Sequence, residues 1–366
     1  MISFTPTDEQ TMLIDTIRRY SANDVRPVAH EADECGDLPD VLLRTGWEIG
    51  ILPGSIPESM GGFGEEASAV TGVLAYEELA YGDLALALRL MSPALAAIPL
   101  VLDGTDEQRD HLLPLFLDET PPRVTAAIVE PGMFFSPGRP RTTAARQNGH
   151  YVLNGAKAAV PLAEGAEWLL VYAWNDGENR VDAFIVQGDA EGVQVGARDK
   201  LMGVRALPTY PVTLNGVCVG ADCRLGGEAG IQFSRLMARS QVALAAMAVG
   251  VMRAALDYAI DYAKEREQFG AAIATKQAIA FMLAECAIEV DATRLMVWEA
   301  AWKLDQGQDA SKEAYLAKRY ADKAALMVAD SAVQTLGGHG YIREHPVERW
   351  LRNARGFASF DGLAMV

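Results

Sequence analysis

The first part of the chain has a helical pattern of apolar positions. Met12, Leu13, Ile17 and Tyr20 recur at helical spacing, and Thr7 stands where a capping residue would begin that helix. The same period predicts helices over 41–51, 66–81 and 106–117, and the apolar run over 84–102 is typical of buried helices. Residues 1–122 are therefore predicted to form an all-helical N-terminal domain.

The pattern then changes to short runs rich in β-branched and aromatic residues. These runs cover 124–129, 150–153, 168–174, 181–186, 193–195 and 211–218. They are separated by strong turn signals: Asn148-Gly149, Asn154-Gly155, Asp176-Gly177 and Asn215-Gly216. Residues 123–225 are therefore predicted to form a small antiparallel β domain.

The last part of the chain returns to long helical segments. Residues 231–265, 275–306 and 311–336 contain few helix breakers, and a shorter segment covers 347–354. Four such amphipathic segments predict a four-helix bundle over 226–366. The predicted fold class is α+β, with a helical domain, a β domain and a bundle in that order.

Composition narrows the possible functions. The 366 residues carry a net charge of −17, which disfavours binding to nucleic acid or to an anionic membrane surface. The four cysteines form no CxxC pair, so we expect reduced thiols in the cytoplasm and no metal site. The N-terminus lacks the pattern of a secretory signal.

Two segments of the bundle have residues suited to a phosphorylated ligand. Arg266 follows a long helix and precedes Gly270, and a permanently charged guanidinium there suits a diphosphate. Gln334 ends another helix, and Gly337-Gly338 would let the backbone approach a ligand closely.

The domain order and several motifs resemble the acyl-CoA dehydrogenase family. The motifs are the RxQFG pattern at 266–270, QTLGGHGY at 334–341, PVER at 346–349 and NGAK at 154–157. The resemblance implies FAD as cofactor, an acyl-CoA substrate and electron-transfer flavoprotein as a partner. It also implies that one set of residues holds the FAD of the neighbouring subunit across a dimer interface: Arg266, Gln268, Phe269, Gln277, Gln334, Gly337 and Gly338.

The segments that surround the flavin ring in the family are changed in this sequence. The pattern T-E-P-x-A-G-S-D is represented by VEPGMFFSP at 129–137, in which Glu130-Pro131 is kept but bulky Met and Phe replace the small residues. The W-I-T pattern falls on Ala159-Val160-Pro161, so its Trp and Thr are absent, and Pro161 offers no backbone N–H.

The family's catalytic base is also altered. Its Tyr-Glu-Gly-Thr segment corresponds to Phe360-Asp361-Gly362-Leu363, where Asp361 keeps a carboxylate that is one methylene shorter. A displacement of about 1 Å can lower a rate about 10²-fold. The second base position used in the family, a Glu-Arg pair, corresponds to Ser240-Gln241.

Three hypotheses follow. In the first, the chain is the non-catalytic partner in a heteromeric acyl-CoA dehydrogenase, an α2β2 heterotetramer like those that degrade sterol side chains, and completes the FAD site of a homologous catalytic subunit. In the second, it is a self-sufficient dehydrogenase with Asp361 as base. In the third, it is an acyl-CoA-binding or scaffold protein without a redox role.

Overall fold

The N-terminal part of the protein is helical. The computed structural model describes residues 5–64, 66–133 and 135–366. Its first seven helices are α1 (Asp8–Tyr20), α2 (Arg26–Cys35), α3 (Asp40–Glu48), α4 (Ala69–Gly82), α5 (Leu84–Leu90), α6 (Ala94–Asp103) and α7 (Asp106–Leu112). A single π-helical turn, Ser21–Val25, joins α1 to α2. Thr7 caps α1 through a reciprocal capping box with Gln10, as its position in the sequence predicts.

The middle of the chain folds into a seven-stranded sheet. Its strands are β1 (Val124–Ala127), β2 (Thr143–Gln147), β3 (His150–Pro161), β4 (Trp168–Asn175), β5 (Arg180–Gln187), β6 (Val193–Val195) and β7 (Thr209–Gly220). The sheet order is β1-β4-β2-β3-β7-β6, and β5 pairs with the other edge of β4. Four strand pairs are antiparallel, but β4 pairs in parallel with both β1 and β2. The sheet is therefore mixed and not purely antiparallel, because hairpin turns in the sequence report only on neighbouring strands.

The last part of the chain is the predicted helical bundle. It consists of α8 (Phe233–Glu265), α9 (Gln277–Asp305), α10 (Ser311–Leu336) and α11 (Val347–Gly356), with a short hairpin, β8 (Glu267–Gln268) and β9 (Ala271–Ala272), between α8 and α9. The central helix α8 contacts α4, α9 and α10. The arrangement of helices, sheet and bundle confirms the predicted fold class.

Helix α8 is apolar because it lies at the centre of the core. Among the described residues it is the one unbroken helix long and apolar enough to cross a membrane, and its most apolar window is 78% buried within the protein. The pair α5 and α6 passes the same test only as a segment bent by 46°. Core helices commonly have this composition, so the test is weak support for a membrane span.

An ion-pair network joins the N-terminal helices to the bundle. Glu77 and Glu78 of α4 are buried, and both carboxylates accept hydrogen bonds from Arg253 of α8 at 2.7 and 2.9 Å. Arg294 of α9 also binds Glu77. Because each buried carboxylate has a cationic partner, the network fixes how the bundle sits against the first domain.

Candidate functional site

The turn between α8 and α9 places an aromatic side chain on the surface. Arg266 ends α8 in an extended conformation, and the short strands Glu267–Gln268 and Ala271–Ala272 pair directly after it. Phe269 and Gly270 form the two-residue turn between them, both with positive φ (56° and 78°), as a type I′ turn requires. A phenylalanine is strained in this conformation, and this side chain is 94% exposed.

The end of α10 leaves open backbone. Gly337 has φ 59° and ψ −127°, a conformation that only glycine adopts without strain. Its N–H binds the carbonyls of Val333 and Gln334, which closes the helix. A Cβ added at either Gly337 or Gly338 would meet no atom within 4 Å. A ligand therefore has room to reach the backbone at this helix end.

These two helix ends face each other across a cleft of about 420 Å³. Five of the predicted cofactor residues line it: Arg266, Gln268, Phe269, Gly337 and Gly338. The structure thus brings together residues that are about 70 positions apart in the chain, as expected for one binding site.

Two other predicted residues lie outside this lining. Gln277 is exposed on the first turn of α9, and Gln334 is exposed on the last turn of α10. Successive helical positions point about 100° apart, and it is the neighbouring Lys276 that lines the cleft. A cofactor contact for Gln277 and Gln334 stays a prediction.

Sequence reasoning missed four polar residues of the cleft, of which Thr335 is buried and donates its hydroxyl to a backbone carbonyl within α10. The other three, Tyr262, Lys276 and His339, also line it. The helical period of α8 could have found Tyr262, since it lies one turn before Arg266 on the same face. Lys276 lies just before α9, outside the helical pattern, so no periodicity indicates it. His339 lies in the glycine-rich turn, where the sequence pattern alone favours an ordinary loop residue.

The cleft is cationic in a strongly acidic protein. Within the described part of the chain, neither Arg266 nor Lys276 forms an ion pair. Two unpaired cations beside open glycine backbone suit the two phosphates of a dinucleotide. The residues present therefore fit the diphosphate half of FAD. Among the described residues no group of three or more His, Cys, Asp or Glu could hold a metal ion.

Glu130, the residue kept from the first flavin-ring segment, has a structural role. Its carboxylate accepts hydrogen bonds from the backbone N–H groups of Arg141 (2.7 Å) and Thr142 (2.9 Å) and forms an ion pair with buried Lys157 at 2.9 Å. Burial raises the pKa of Glu130, but Lys157 and these donors outweigh it, so the pKa is lowered. Burial lowers the pKa of Lys157 to about 8. The pair closes the loop over 131–141, of which Phe134 lies outside the described residues.

The second flavin-ring segment is the end of β3. Ala159 has positive φ (51°) within an irregularity of the β3–β7 pairing. Val160 and Pro161 are buried and pair with Tyr210 and Thr209 of β7. The segment therefore keeps the bulged backbone without the Trp and Thr side chains that the family places there.

Asp361 begins a buried tail. Asp361 itself is half-buried, and its carboxylate makes no hydrogen bond within the described residues. Every residue from Gly362 to Val366 is buried. A Cβ added at Gly362 would lie 2.7 Å from the Ile128 side chain, and one added at Gly72 would lie 2.9 Å from Val366. The tail is therefore packed tightly against the start of α4 and the end of β1.

Polar groups on two helices hold this tail in place. Tyr76 of α4 donates its hydroxyl to the carbonyl of Met365 at 2.7 Å. Arg239 of α8 donates to the carbonyl of Val366, also at 2.7 Å. Ser240, at the family's second base position, is fully buried, and its hydroxyl has no partner among the described residues. No carboxylate stands at that position.

Comparison with known proteins gives the same family over the whole chain. The N-terminal, middle and C-terminal domain models of acyl-CoA dehydrogenase match residues 7–120, 125–217 and 231–364. The chain is 36% identical to the caffeyl-CoA reductase-Etf complex subunit CarC of Acetobacterium woodii, over 98% of this chain and 96% of the relative.

Solved structures agree with this match. Butyryl-CoA dehydrogenase from Megasphaera elsdenii superposes with a TM-score of 0.90 at 28% identity, covering 100% of this chain and 96% of that one. The FAD complex of PigA superposes with a TM-score of 0.88 at 26% identity, covering 98% and 95%. The fold and the cationic cleft define a flavoprotein of the oxidoreductase class. The chain belongs to the acyl-CoA dehydrogenase family, whose members are FAD-dependent enzymes.

Proposed function

We propose that this chain is the partner subunit of a heteromeric acyl-CoA dehydrogenase and completes the FAD site of a homologous catalytic subunit. The observation that carries the proposal is an asymmetry. The cleft at the ends of α8 and α10 keeps two unpaired cations and open backbone, whereas the flavin-ring side has lost its specific side chains. A chain drifting without function would have no reason to keep only one half.

The cleft supplies what the diphosphate half of a cofactor needs. Arg266 and Lys276 would hold the phosphates, and Gly337 and Gly338 would let the ligand reach the end of α10. When bound, FAD supplies the hydride acceptor for α,β-desaturation of an acyl-CoA thioester. The cleft is open to solvent and exposes Phe269, so it offers a surface on which a second chain could complete the site.

The flavin-ring side of this chain lacks the matching chemistry. Pro161 offers no N–H, Ala159 gives no aromatic wall, and Ser240 replaces a carboxylate. The buried tail after Asp361 is held against α4 and α8 by hydrogen bonds to the carbonyls of Met365 and Val366. These features favour a catalytic subunit elsewhere, which would bring the flavin-ring pocket and the base in an α2β2 assembly.

The substrate class and the electron acceptor belong to the same proposal. We propose an acyl-CoA of the sterol side-chain type, bound mainly by the catalytic subunit, and electron-transfer flavoprotein as the redox partner. The relative CarC is named as a subunit of a reductase-Etf complex, which supports a flavoprotein partner. The four cysteines are free, which favours the cytoplasm as the location.

One observation favours a second candidate function. Asp361 keeps a half-buried carboxylate at the family's base position, so a self-sufficient dehydrogenase or reductase is the alternative. Such a protein would bind FAD at full occupancy when purified alone, and its flavin would be reduced by a suitable acyl-CoA.

The test is flavin content. The chain is purified alone and after co-expression with a homologous acyl-CoA dehydrogenase subunit, and FAD is quantified by its visible absorbance. We expect little FAD alone and about one FAD for every two chains in the complex. Full occupancy in the isolated chain would overturn the proposal in favour of the alternative. Absence of flavin with every candidate partner would support the scaffold hypothesis.

A matched pair of variants locates the cofactor. Arg266→Ala in this chain should weaken FAD retention by the complex about 10- to 100-fold, because a charged hydrogen bond to phosphate contributes roughly 1.5–3 kcal/mol. Arg19→Ala removes an equally exposed arginine from α1, outside the cleft, and should leave retention unchanged. Equal effects of the two variants would refute a cofactor role for the cleft.

A further inference from the structure

Two tyrosine–histidine pairs join the two sides of the cleft. Tyr262 of α8 and His339 of the glycine-rich turn are hydrogen-bonded through the phenol and Nδ1 at 2.7 Å. One helical turn earlier, Tyr258 makes the same bond to Nδ1 of His345, also at 2.7 Å. The two imidazole rings lie 5.7 Å apart at an interplanar angle of 30°. The pairs thus fix the segment after α10 on the last turns of α8.

The two pairs differ in one respect. Tyr262 and His339 line the cleft, whereas Tyr258 and His345 are not part of its lining. Tyr258 instead packs edge-on against the buried Trp350 ring, 5.8 Å away. The first pair therefore borders the candidate ligand site, and the second does not. This difference separates a binding role from a structural one.

The Tyr262–His339 hydrogen bond is compatible with either tautomer of the imidazole, and one of the two leaves a free N–H donor. A phenol is a good donor, and Nδ1 of a neutral imidazole can accept its hydrogen. The proton of the neutral ring is then on Nε2, and that nitrogen has no partner among the described residues. In that tautomer half-buried His339 has an unused N–H donor, and the residue lines the cleft together with Gly337 and Gly338.

We propose that His339, oriented by Tyr262, donates its Nε2–H to a diphosphate oxygen of the dinucleotide, as a third contact beside Arg266 and Lys276. The inference rests on the proposed cofactor role of the cleft and extends it to a side chain at the variable position of the Gly-Gly-x-Gly-Tyr motif. A phosphate oxygen is the acceptor that best suits a neutral N–H in a cleft that also contains two unpaired cations and open backbone. His339 binds ligand, and Tyr262 is a positioning residue.

Three substitutions separate binding from structure. His339→Ala removes both the donor and the bond to Tyr262. His339→Gln keeps an amide N–H near the position of Nε2, because the glutamine side chain has a comparable reach. His345→Ala is the matched control, since it removes the equivalent histidine of the pair that does not line the cleft. The FAD dissociation constant of the assembled complex and the melting temperature of the isolated chain are measured for each variant.

We expect His339→Ala to weaken FAD binding about 10- to 100-fold, because a hydrogen bond to an ionised phosphate oxygen is charge-assisted and contributes roughly 1.5–3 kcal/mol. His339→Gln should recover most of that loss, and His345→Ala should leave the dissociation constant within about twofold while lowering the melting temperature at least as much as His339→Ala does. Equal weakening of binding by His339→Ala and His345→Ala, without recovery in His339→Gln, would overturn the inference and leave a purely structural role.

Arg266→Ala, measured in the same series, distinguishes an error in the role of His339 from an error in the proposed cofactor site. If Arg266→Ala weakens FAD binding and His339→Ala does not, the cofactor cleft stands and the role of His339 is wrong. If neither variant weakens binding, the cleft is not the cofactor site, and the proposed function fails together with this inference.

Discussion

The cleft at the helix ends and the flavin-ring side of the same chain have changed in opposite ways. The cleft contains an arginine without an ion pair among the described residues, two glycines with open backbone and a strained exposed turn at Phe269. On the flavin-ring side, Glu130-Pro131 survives, and the Glu130 carboxylate has its partners within the fold. If the cleft binds FAD as we propose, this contrast means that the ligand constrains only the first region.

The largest expected effect tests the structural interpretation of Glu130. Glu130→Gln leaves Lys157 buried without a counter-charge, so we expect the free energy of unfolding to fall by about 3–5 kcal/mol. Because the folded-state pKa of Glu130 is lowered, its contribution is full at neutral pH and is lost as the pH falls through that pKa. Urea unfolding at neutral and acidic pH measures both effects.

The control for this prediction is an exposed pair. Glu228→Gln removes the partner of Arg146 at the surface and should change stability by less than about 0.5 kcal/mol. The double variant Glu130→Leu/Lys157→Met removes the buried charges together and should lose less stability than Glu130→Gln alone. A fully stable Glu130→Gln protein with altered flavin binding would contradict a structural role for Glu130, because the residue would then act on the cofactor.

A smaller effect is expected at the two glycines of the cleft. Gly337→Ala forces a methyl-bearing residue into a positive-φ conformation and should cost about 1–3 kcal/mol, although no atom blocks the methyl group. Gly338→Ala has neither the positive φ nor a steric clash, so the melting temperature should barely change. Both variants place a methyl group where the ligand would approach, so both should lower FAD retention by the complex.

The two glycine variants therefore separate strain from ligand contact. Thermal unfolding of the isolated chain reports strain alone, and flavin content of the complex reports contact. If Gly338→Ala left both measurements unchanged, the open backbone at the end of α10 would have no role in binding. FAD binding in the cleft would then depend on the charged residues alone.

Local patterns predicted much of the fold but not every pairing. The bundle helices follow from the 3.6-residue period, and α10 has the predicted bounds, Ser311–Leu336. Strand β2 was missed, because the short run Thr143–Gln147 contains Arg and Gln and owes its strand to pairing with β3. The parallel pairing of β4 with β1 and β2 was missed too, because residues that are adjacent in the sequence do not determine which distant strands pair.

The site was predictable to the extent that it lies in motifs. Arg266, Gln268, Phe269, Gly337 and Gly338 were selected from two segments, and the structure brings them together. Tyr262, Lys276 and His339 lie between or beside the motif positions, and only the packing of α8 against the turn after α10 reveals them. The sequence did not predict the buried tail after Asp361, because five small or apolar residues do not specify their partners.

The smallest expected effect is the most direct test of the comparison. Asp361→Asn preserves the size of the side chain and removes the carboxylate charge, and Asp361 makes no hydrogen bond through that carboxylate within the described residues. If the catalytic base belongs to the other subunit, turnover of acyl-CoA by the complex should stay within about twofold of the unsubstituted enzyme. If Asp361 is the base, turnover should fall by roughly 10²- to 10⁴-fold while FAD content is unchanged. Steady-state rates at matched flavin content decide between these outcomes.

A large loss would mean that the flavin-ring side of this chain is still catalytic despite the changes at Ala159 and Pro161. The contrast between the two regions would then reflect a different substrate and not a divided active site.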